Sequence, residues 1–263
     1  MTTGPSLTLA YEAAPDTGLP PLLLVHGLLV NRDIWAPNAA LAQHFRLIRV
    51  DLPGHGQSPM PEAPEQVQPG AIVAALDRLR ISLGIAQWHL CGQSFGAGIV
   101  LRYAVDHPAA CTGLVFTNAN GALREAESEA QLEARRSLVA GLRAGGLSAL
   151  RKLPYHPIHA RRFPPELRQQ LSDSADSTSP EDLSLLMQEA LPRLSVRDRL
   201  DALSVPTLLI NGLYEKKFQP SRDWLAETYP KIAISDLPGG HSVNVECAEA
   251  FNTTVETFLR GRD

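Results

Sequence analysis

The sequence predicts an α/β fold, in which a mostly parallel β-sheet carries helices on both faces and is interrupted by a helical cap insertion. Short apolar runs alternate with segments of helical periodicity along most of the chain. Most of these runs are continuously apolar, which is typical of parallel strands buried on both faces. Between residues 120 and 200 the alternation stops, and that stretch contains helix-like patches but no strand candidate.

The predicted strands are apolar runs that mostly end at glycine, proline or a polar turn. They lie at 7–11, 22–25, 45–50, 88–91, 113–117, 207–210 and 232–237, the first as an edge strand. Helical spacing predicts core helices at 33–44, 66–83, 99–105, 219–228 and 248–259. Asp33 is the expected N-cap of the first helix, and Trp35, Leu41 and Phe45 lie on its apolar side.

The stretch between the fifth and sixth predicted strands is rich in Arg, Glu and Ala. Its helix-like patches at 125–143, 146–153, 165–172 and 180–194 are separated by proline and glycine. We therefore expect residues 120–200 to form a helical cap, or lid, over the sheet edge. Residues 1–119 and 201–263 would together form the α/β core.

Composition narrows the class of partner. The 263-residue chain is 44% hydrophobic and 20% charged, with a formal net charge of −4. This balance gives no basic surface for nucleic acid or an anionic membrane. We expect a small-molecule substrate, no nucleic-acid partner and no membrane span, and the oligomeric state stays open, a homodimer included.

Two features favour a cytoplasmic location. Residues 1–10 lack the basic and apolar regions of a signal peptide, and no apolar run is long enough to span a bilayer. The three cysteines show no C-x-x-C spacing, which is typical of buried free thiols in a reducing compartment.

The strongest chemical signal is a serine between a strand and a helix. Residues 92–96 read Gly-Gln-Ser-Phe-Gly directly after the predicted strand 88–91. In this G-x-S-x-G pattern the serine sits on a strained turn above the C-terminal edge of a parallel sheet. The glycines are needed because a Cβ two residues from Ser94 would meet a neighbouring strand or helix. The pattern predicts Ser94 as a nucleophile.

Three further motifs surround this turn. Residues 22–27 read LLLVHG, residues 51–58 read DLPGHGQS, and Gly240-His241 follows the last strand. With the Ser94 turn they resemble the α/β-hydrolase superfamily of serine hydrolases, and the resemblance spans the chain except the cap. It implies the order nucleophile, acid, histidine, with His241 as the base that takes the serine proton.

The acid of this resemblance follows the strand 207–210. In similar hydrolases it usually lies three residues beyond a glycine, here Gly212, which gives Glu215 rather than the commoner aspartate. Glu215 would hold the tautomer of His241 and stabilise the imidazolium. A position used by some relatives at the end of an earlier strand is Asn118, which cannot serve as a carboxylate. The alternative acids are Asp198, Asp201 and Asp236.

The resemblance also implies an oxyanion hole. Its donors would be the backbone N–H groups of Phe95, just after the nucleophile, and of Leu28, just after His26-Gly27. His26 and His55 belong to motifs that shape loops in this superfamily, so we do not expect them to take part in the chemistry.

Side chains near these loops are expected to wall a mostly apolar substrate pocket, which favours a substrate with a hydrophobic part. Leu29, Trp35 and Val243 are the predicted lining residues, together with Phe95 and residues of the cap. No cofactor is expected, and no metal site either, since His156 and His159 have no third ligand nearby in the sequence.

The C-terminal motifs narrow the resemblance to one group. Residues 212–218 (GLYEKKF) and 239–251 (GGHSVNVECAEAF) look most like capped hydrolases that include 2-succinyl-6-hydroxy-2,4-cyclohexadiene-1-carboxylate (SHCHC) synthase, enol-lactonases and meta-cleavage-product hydrolases. The synthase carries an arginine for substrate carboxylates four residues after its nucleophile, where this chain has Gly98. A diacid substrate and an elimination reaction are therefore disfavoured.

The predicted function is hydrolysis of a small-molecule ester, thioester, lactone or activated C–C bond through an acyl-enzyme on Ser94. Two alternatives stay open. The first is a lyase that uses the triad for proton abstraction and elimination, similar to SHCHC synthase. The second is a non-catalytic ligand-binding protein that kept the fold, because fold alone does not determine function.

Overall fold

A seven-stranded sheet lies at the centre of the computed structural model, which describes residues 7–261. In chain order the strands are β1 (Tyr11–Ala13), β2 (Pro21–Val25), β3 (Arg46–Val50), β4 (Trp88–Gly92), β5 (Cys111–Thr117), β6 (Thr207–Gly212) and β7 (Ala233–Leu237). Their order across the sheet is β1-β3-β2-β4-β5-β6-β7. Only β1 pairs antiparallel, with β3, and every other neighbouring pair is parallel. The predicted mostly parallel sheet is confirmed.

Helices cover both faces of this sheet. In chain order they are α1 (Pro69–Ser82), α2 (Phe95–Asp106), α3 (Asn120–Leu123), α4 (Glu129–Leu150), α5 (Pro165–Asp176), α6 (Pro180–Leu185), α7 (Gln219–Thr228), α8 (Val243–Glu246) and α9 (Ala248–Arg260). Leu23 and Val25 of β2 enter the buried cluster formed with α1 and α2, whereas Leu22 and Leu24 enter the one formed with α8 and α9. Successive strand residues point to opposite faces, so a strand buried on both sides is continuously apolar.

Two elements differ from the sequence prediction. The edge strand lies at Tyr11–Ala13 rather than at 7–11, because pairing with β3 begins only at Tyr11, opposite Val50. Residues 33–44 do not form a regular α-helix; the chain makes 3-10 turns over Arg32–Gln43. Pro37 lies inside this element, where it cannot donate a helical hydrogen bond, and Asn38 leaves helical geometry.

The N-cap residue of the 3-10 element Arg32–Gln43 also differs from the prediction. The Asn31 side chain, and not that of Asp33, caps it by accepting a hydrogen bond from the Asp33 N–H at 2.9 Å.

Between β5 and β6 the described chain forms only helices and turns. The capping box of Ser128 and Gln131 begins α4. This helix joins the larger parts of both predicted patches, 125–143 and 146–153, and kinks at Gly146, whose φ is +54°. We use "cap" for residues 120–200, whose status as a separate unit stays a prediction.

A third buried cluster lies inside the cap and reaches the loop after β2. Its cap members include Val139, Leu142, Leu183 and Met187, and its core member is Leu29. The helical segment is therefore packed onto the loop that follows the second strand.

Two smaller predictions can be compared with the structure, and a third cannot. No helix within residues 7–261 has the length and apolar character needed to cross a bilayer. The cysteines are free; Cys91 and Cys111 are buried, whereas Cys247 is partly exposed. The expectation about a leader rests mainly on residues 1–6, which lie outside the described residues.

A pair of glycine substitutions tests the packing of the Ser94 turn. In Gly96→Ala the added methyl group would overlap the carbonyl oxygens of Val25 and His26. We expect a loss of about 2–3 kcal/mol in the free energy of unfolding. Gly141→Ala in α4 is the control, because nothing lies within 4 Å of its added Cβ, and it should gain up to about 1 kcal/mol. Urea unfolding measures both; equal stability of Gly96→Ala and wild type would contradict the close approach.

Candidate active site

Ser94 lies on the turn between β4 and α2, at the C-terminal edge of the parallel strands. Its backbone has φ +56° and ψ −112°, a conformation that costs an L-residue free energy. The two glycines of the motif allow it. A Cβ on Gly92 would lie 2.5 Å from the carbonyl oxygen of Gly96, and one on Gly96 would overlap the end of β2. The turn is therefore held by close packing of backbone on both sides.

A continuous chain of hydrogen bonds joins Ser94, His241 and Glu215. Nε2 of His241 lies 2.8 Å from Ser94 Oγ, and Nδ1 lies 2.9 Å from Glu215 Oε2. An ionised carboxylate can only accept, so Nδ1 carries the proton and Nε2 is free to accept one from the serine hydroxyl. The side chain of Glu215 is 17% exposed and that of His241 is 39% exposed, so the imidazole borders space open to a ligand.

The loops that carry the acid and the histidine are joined through their backbones. The N–H of Tyr214 donates to the Gly239 carbonyl at 2.8 Å, and a Cβ on Gly212 would overlap the carbonyl of Gly240. The buried Asn118 side chain clamps Gly212, accepting from its N–H at 2.8 Å and donating to its carbonyl at 3.1 Å. Asn118 thus supports the loop of Glu215 instead of facing the histidine.

The alternative carboxylates have other partners. Asp236 accepts from Arg222 Nη2 and from Asn211 Nδ2, each at 2.7 Å. Asp198 and Asp201 lie in the 3-10 turn before β6, and Asp201 hydrogen-bonds Tyr229. Of the four acids considered, the structure brings only Glu215 to His241.

The loop after β2 passes directly beside the serine. A Cβ on Gly27 would lie 3.0 Å from Ser94 Cβ, which places the next residue, Leu28, at the site. Among the hydrogen bonds of residues 7–261, none uses the backbone N–H of Leu28 or of Phe95. Leu29 and Ser94 are the only described non-glycine residues with positive φ. Each predicted oxyanion donor is therefore next to one of these residues, Leu28 before Leu29 and Phe95 after Ser94. Their role stays a prediction.

His26 and His55 support the loops after β2 and β3 through hydrogen bonds to backbone groups. Nε2 of His26 accepts from the Leu52 N–H at 2.9 Å, and Nε2 of His55 accepts from the Leu29 N–H at 3.1 Å. Each Nδ1–H donates to a nearby carbonyl, that of Gly27 or of Pro53. Both rings are therefore neutral and fully used as backbone supports, and neither takes part in the chain that joins the serine to its acid.

Burial lowers the pKa of both imidazoles below the usual value for histidine. The neighbouring ring of His55, 5.2 Å from that of His26 between centroids, lowers the pKa of His26 further. Protonating either ring would remove the acceptor that holds a backbone N–H of these loops. The neutral state is thus part of the folded structure.

A family model matches most of the chain. The family model described as alpha/beta hydrolase fold matches residues 20–246. The chain belongs to the α/β-hydrolase family. This hydrolase therefore has the fold that the four motifs predict, and it is an enzyme of the hydrolase type.

Individual relatives are similar over nearly their whole length. The hydrolase is 27% identical over 265 residues to 3-oxoadipate enol-lactonase 2 of Acinetobacter baylyi, covering 98% of this chain and 95% of the relative. It is 23% identical to a putative 2-succinyl-6-hydroxy-2,4-cyclohexadiene-1-carboxylate synthase of Bacillus subtilis, covering 90% and 89%. Among solved structures, the enol-lactonase from Burkholderia xenovorans superposes with a TM-score of 0.81 at 24% identity, covering 96% of both chains. The predicted resemblance to enol-lactonases and SHCHC synthase is confirmed.

The position four residues after the serine of this hydrolase is filled from the cap. A Cβ on Gly98 would lie 2.6 Å from Leu194 Cγ, and Leu194 is buried. The glycine therefore accommodates a leucine side chain, and a long cationic side chain has no room there while Leu194 keeps its place.

The predicted pocket residues lie in different parts of the hydrolase. Leu29 contacts the cap cluster, together with Leu28. All three side chains are fully buried, but Trp35 and Val243 belong to the core cluster on the α8–α9 face, where the Trp35 ring packs near Phe251. The structure thus packs these two among core helices and only Leu29 against the cap, and the role of all three in a pocket stays a prediction.

One residue beside the acid was missed in the sequence. Asn120, the first residue of α3, donates from Nδ2 to Glu215 Oε1 at 2.9 Å. A polar residue just beyond the C-terminal end of β5 was the available signal, since ligand-facing and catalytic side chains of parallel sheets gather at this edge.

The two buried imidazoles predict a specific pH dependence of stability. Their folded-state pKa values lie below the unfolded value, so the unfolded chain binds more protons. The free energy of unfolding should therefore fall as the pH drops below about 6.5. His26→Gln keeps a donor and an acceptor but cannot titrate, so it should lose less stability than wild type between pH 7 and pH 5. Urea unfolding across this range is the measurement, and equal slopes for the two proteins would rule out this role of His26.

Proposed function

We propose that this hydrolase cleaves a carboxylic ester or lactone of a small molecule through an acyl-enzyme on Ser94. The observation that carries the proposal is the unbroken hydrogen-bond chain from Ser94 Oγ through His241 to Glu215. The positive φ of Ser94 adds weight, because strain of this kind is retained where neighbouring structure enforces it and clusters at active sites.

The first half-reaction forms the acyl-enzyme. Nε2 of His241 takes the hydroxyl proton while Ser94 Oγ attacks the carbonyl carbon of the substrate. The N–H groups of Leu28 and Phe95 stabilise the negative charge that develops on the carbonyl oxygen. Glu215 stabilises the imidazolium, which then gives its proton to the leaving alkoxide as the C–O bond breaks.

The second half-reaction restores the enzyme. His241 takes a proton from water, and the hydroxide attacks the acyl carbon and displaces Ser94 Oγ. The serine recovers its proton from the imidazolium and the free acid leaves. Every step uses groups of this chain and water.

The same groups could act on thioesters or activated C–C bonds, so the choice of an ester or lactone rests on similarity. The Acinetobacter and Burkholderia relatives are named enol-lactonases. A lactone is a cyclic ester and requires the same nucleophile, base and oxyanion donors. This agreement between the site and the relatives supports the narrower substrate class.

The elimination alternative is less well supported. A lyase similar to SHCHC synthase would use an arginine where this chain has Gly98, and Leu194 occupies the space beside that glycine. The non-catalytic alternative is also less well supported, since it does not account for the strained serine with an acceptor nitrogen of His241 at 2.8 Å.

The apolar part of the substrate is proposed to lie between the loop after β2 and the cap. Leu28, Tyr155 and Leu191 are partly exposed there and pack against a cluster whose buried members include Leu29 and Met187. Leu28 also supplies a proposed oxyanion donor, so this apolar surface begins next to the reacting carbonyl. Residues 120–200 would then act as a lid that sets the size of the substrate.

Kinetics of active-site variants test the roles of the triad. On p-nitrophenyl esters, Ser94→Ala should lose about 10,000-fold or more in kcat, and Glu215→Gln about 100- to 10,000-fold. Asp236→Asn is the matched control: it is also an acid-to-amide change near the same sheet edge, but the partners of Asp236 are Arg222 and Asn211 and not His241. It should stay within about twofold of wild type. Loss of activity in Asp236→Asn with retention in Glu215→Gln would reverse the assignment of the acid.

Covalent trapping tests the nucleophile. A fluorophosphonate should add one phosphonyl group to wild type and none to Ser94→Ala, as measured by mass spectrometry of the intact chain and of its peptides.

A series of p-nitrophenyl esters tests the pocket. Rates on these esters should rise as the acyl chain lengthens from acetate, since more apolar area is buried. Absence of labelling would favour the binding alternative, and turnover of short polar esters alone would contradict the apolar pocket.

A further inference from the structure

The carboxylate of Glu215 has a different partner on each oxygen. Oε2 meets His241, and Oε1 accepts from the Asn120 side chain at 2.9 Å. Asn120 does not belong to the loop of the acid; it is the residue at which α3 begins, just after β5. The orientation of the carboxylate therefore depends on a group from another part of the chain.

This second partner matters because the acid is a glutamate. Glutamate has one more rotatable bond than aspartate, so its carboxyl group has more orientations to lose when it binds one ring nitrogen. A hydrogen bond to each oxygen fixes both the position and the plane of the carboxylate. Groups that orient a reacting residue in this way affect rate through geometry.

Asn120 is itself held at the base of the cap, where the chain leaves the sheet and returns to it. The N–H of Val196 donates to the Ala122 carbonyl and a guanidinium N–H of Arg197 donates to the Leu123 carbonyl, both at 2.9 Å. Ser195 Oγ donates to the Arg124 carbonyl at 2.7 Å. The outgoing and returning segments are thus joined, and α3 is fixed between them.

We propose that Asn120 is a positioning residue that holds the Glu215 carboxylate against His241 and ties the acid to the base of the cap. The proposal deepens the function proposed above and rests on it, because it assigns Asn120 to the same triad. It also makes the cap a support of the catalytic geometry as well as a cover for the substrate.

Other charges near the acid and the histidine are accounted for. Lys216 and Lys217 follow the acid on its own loop and are exposed. From the cap, Arg162 pairs with Glu246 at 3.2 Å and lies over the ring of Tyr214. From α8, Glu246 also accepts from the Gly240 N–H at 2.8 Å. All of them are retained in the variants below and cannot produce a difference between those variants.

The test uses two substitutions at Asn120. Asn120→Asp removes the donor and adds a negative charge beside Glu215, which favours the imidazolium form of His241. The pKa of His241 should rise by about 0.5 unit or more, and the acidic limb of the kcat/KM profile should move to higher pH with it. Asn120→Ala frees the carboxylate, and kcat should fall about tenfold while KM changes less than twofold.

Asn31→Asp is the matched control. Asn31 also joins the core to the cap through its amide, which donates to Ser174 of α5 at 3.1 Å, but it has no contact with the triad. Aspartate can still cap the 3-10 turn that follows. Asn31→Asp should leave the pKa of His241 and the kcat/KM profile as in wild type.

NMR titration of the His241 ring, assigned with His241→Ala, measures this pKa without turnover, and urea unfolding verifies that each variant is folded. A raised pKa in Asn120→Asp but not in Asn31→Asp, with reduced kcat in Asn120→Ala, supports the proposal. An unchanged pKa and kcat in folded Asn120 variants, or equal shifts in Asn31→Asp, overturns it. If wild type hydrolyses no ester while Asn120→Asp still raises this pKa, the proposed function fails and the positioning role stands.

Discussion

The active site depends on two places where one backbone passes another with no room for a Cβ. At the first, Gly96 lies against the carbonyls at the end of β2. At the second, Gly212 lies against the carbonyl of Gly240. The first contact places the loop of Leu28 beside Ser94, and the second places the loop of Glu215 beside that of His241. Four loops from separate parts of the chain are therefore set by steric contact before any side chain of the site is considered.

Side-chain hydrogen bonds then fix what the close packing leaves free. His26 and His55 use both ring nitrogens on backbone groups, and Asn118 uses both ends of its amide on Gly212. Such groups are costly to bury without partners, so each stabilises one loop arrangement over others. The supporting side chains are buried, whereas the reactive imidazole of His241 is partly exposed.

Most of the fold follows from the sequence because strands buried on both faces have a distinctive continuous apolar pattern. The G-x-S-x-G motif indicated Ser94 directly, whereas Glu215 and His241 were indicated by the resemblance to α/β-hydrolases, with Asp198, Asp201 and Asp236 left as alternative acids. The apolar pattern did not distinguish residues that line the site from residues that pack in the core. Trp35 lies near the site in sequence but packs into the core, since proline and 3-10 geometry redirect the chain. The contact of Asn120 with Glu215 joins distant segments, so the sequence shows a polar residue just beyond a strand end but does not show its partner.

The contact of Leu194 with Gly98 bears on how this enzyme could change during evolution. The two residues come from the cap and from the helix behind the nucleophile, so their volumes are shared between segments that can mutate separately. An arginine at 98 would meet the leucine, and a smaller residue at 194 would leave a cavity beneath the glycine. Either change alone is therefore expected to lower stability, and an arginine at 98 requires a smaller residue at 194 as well. Positions 98 and 194 are therefore expected to change together, although they lie in different segments of the chain.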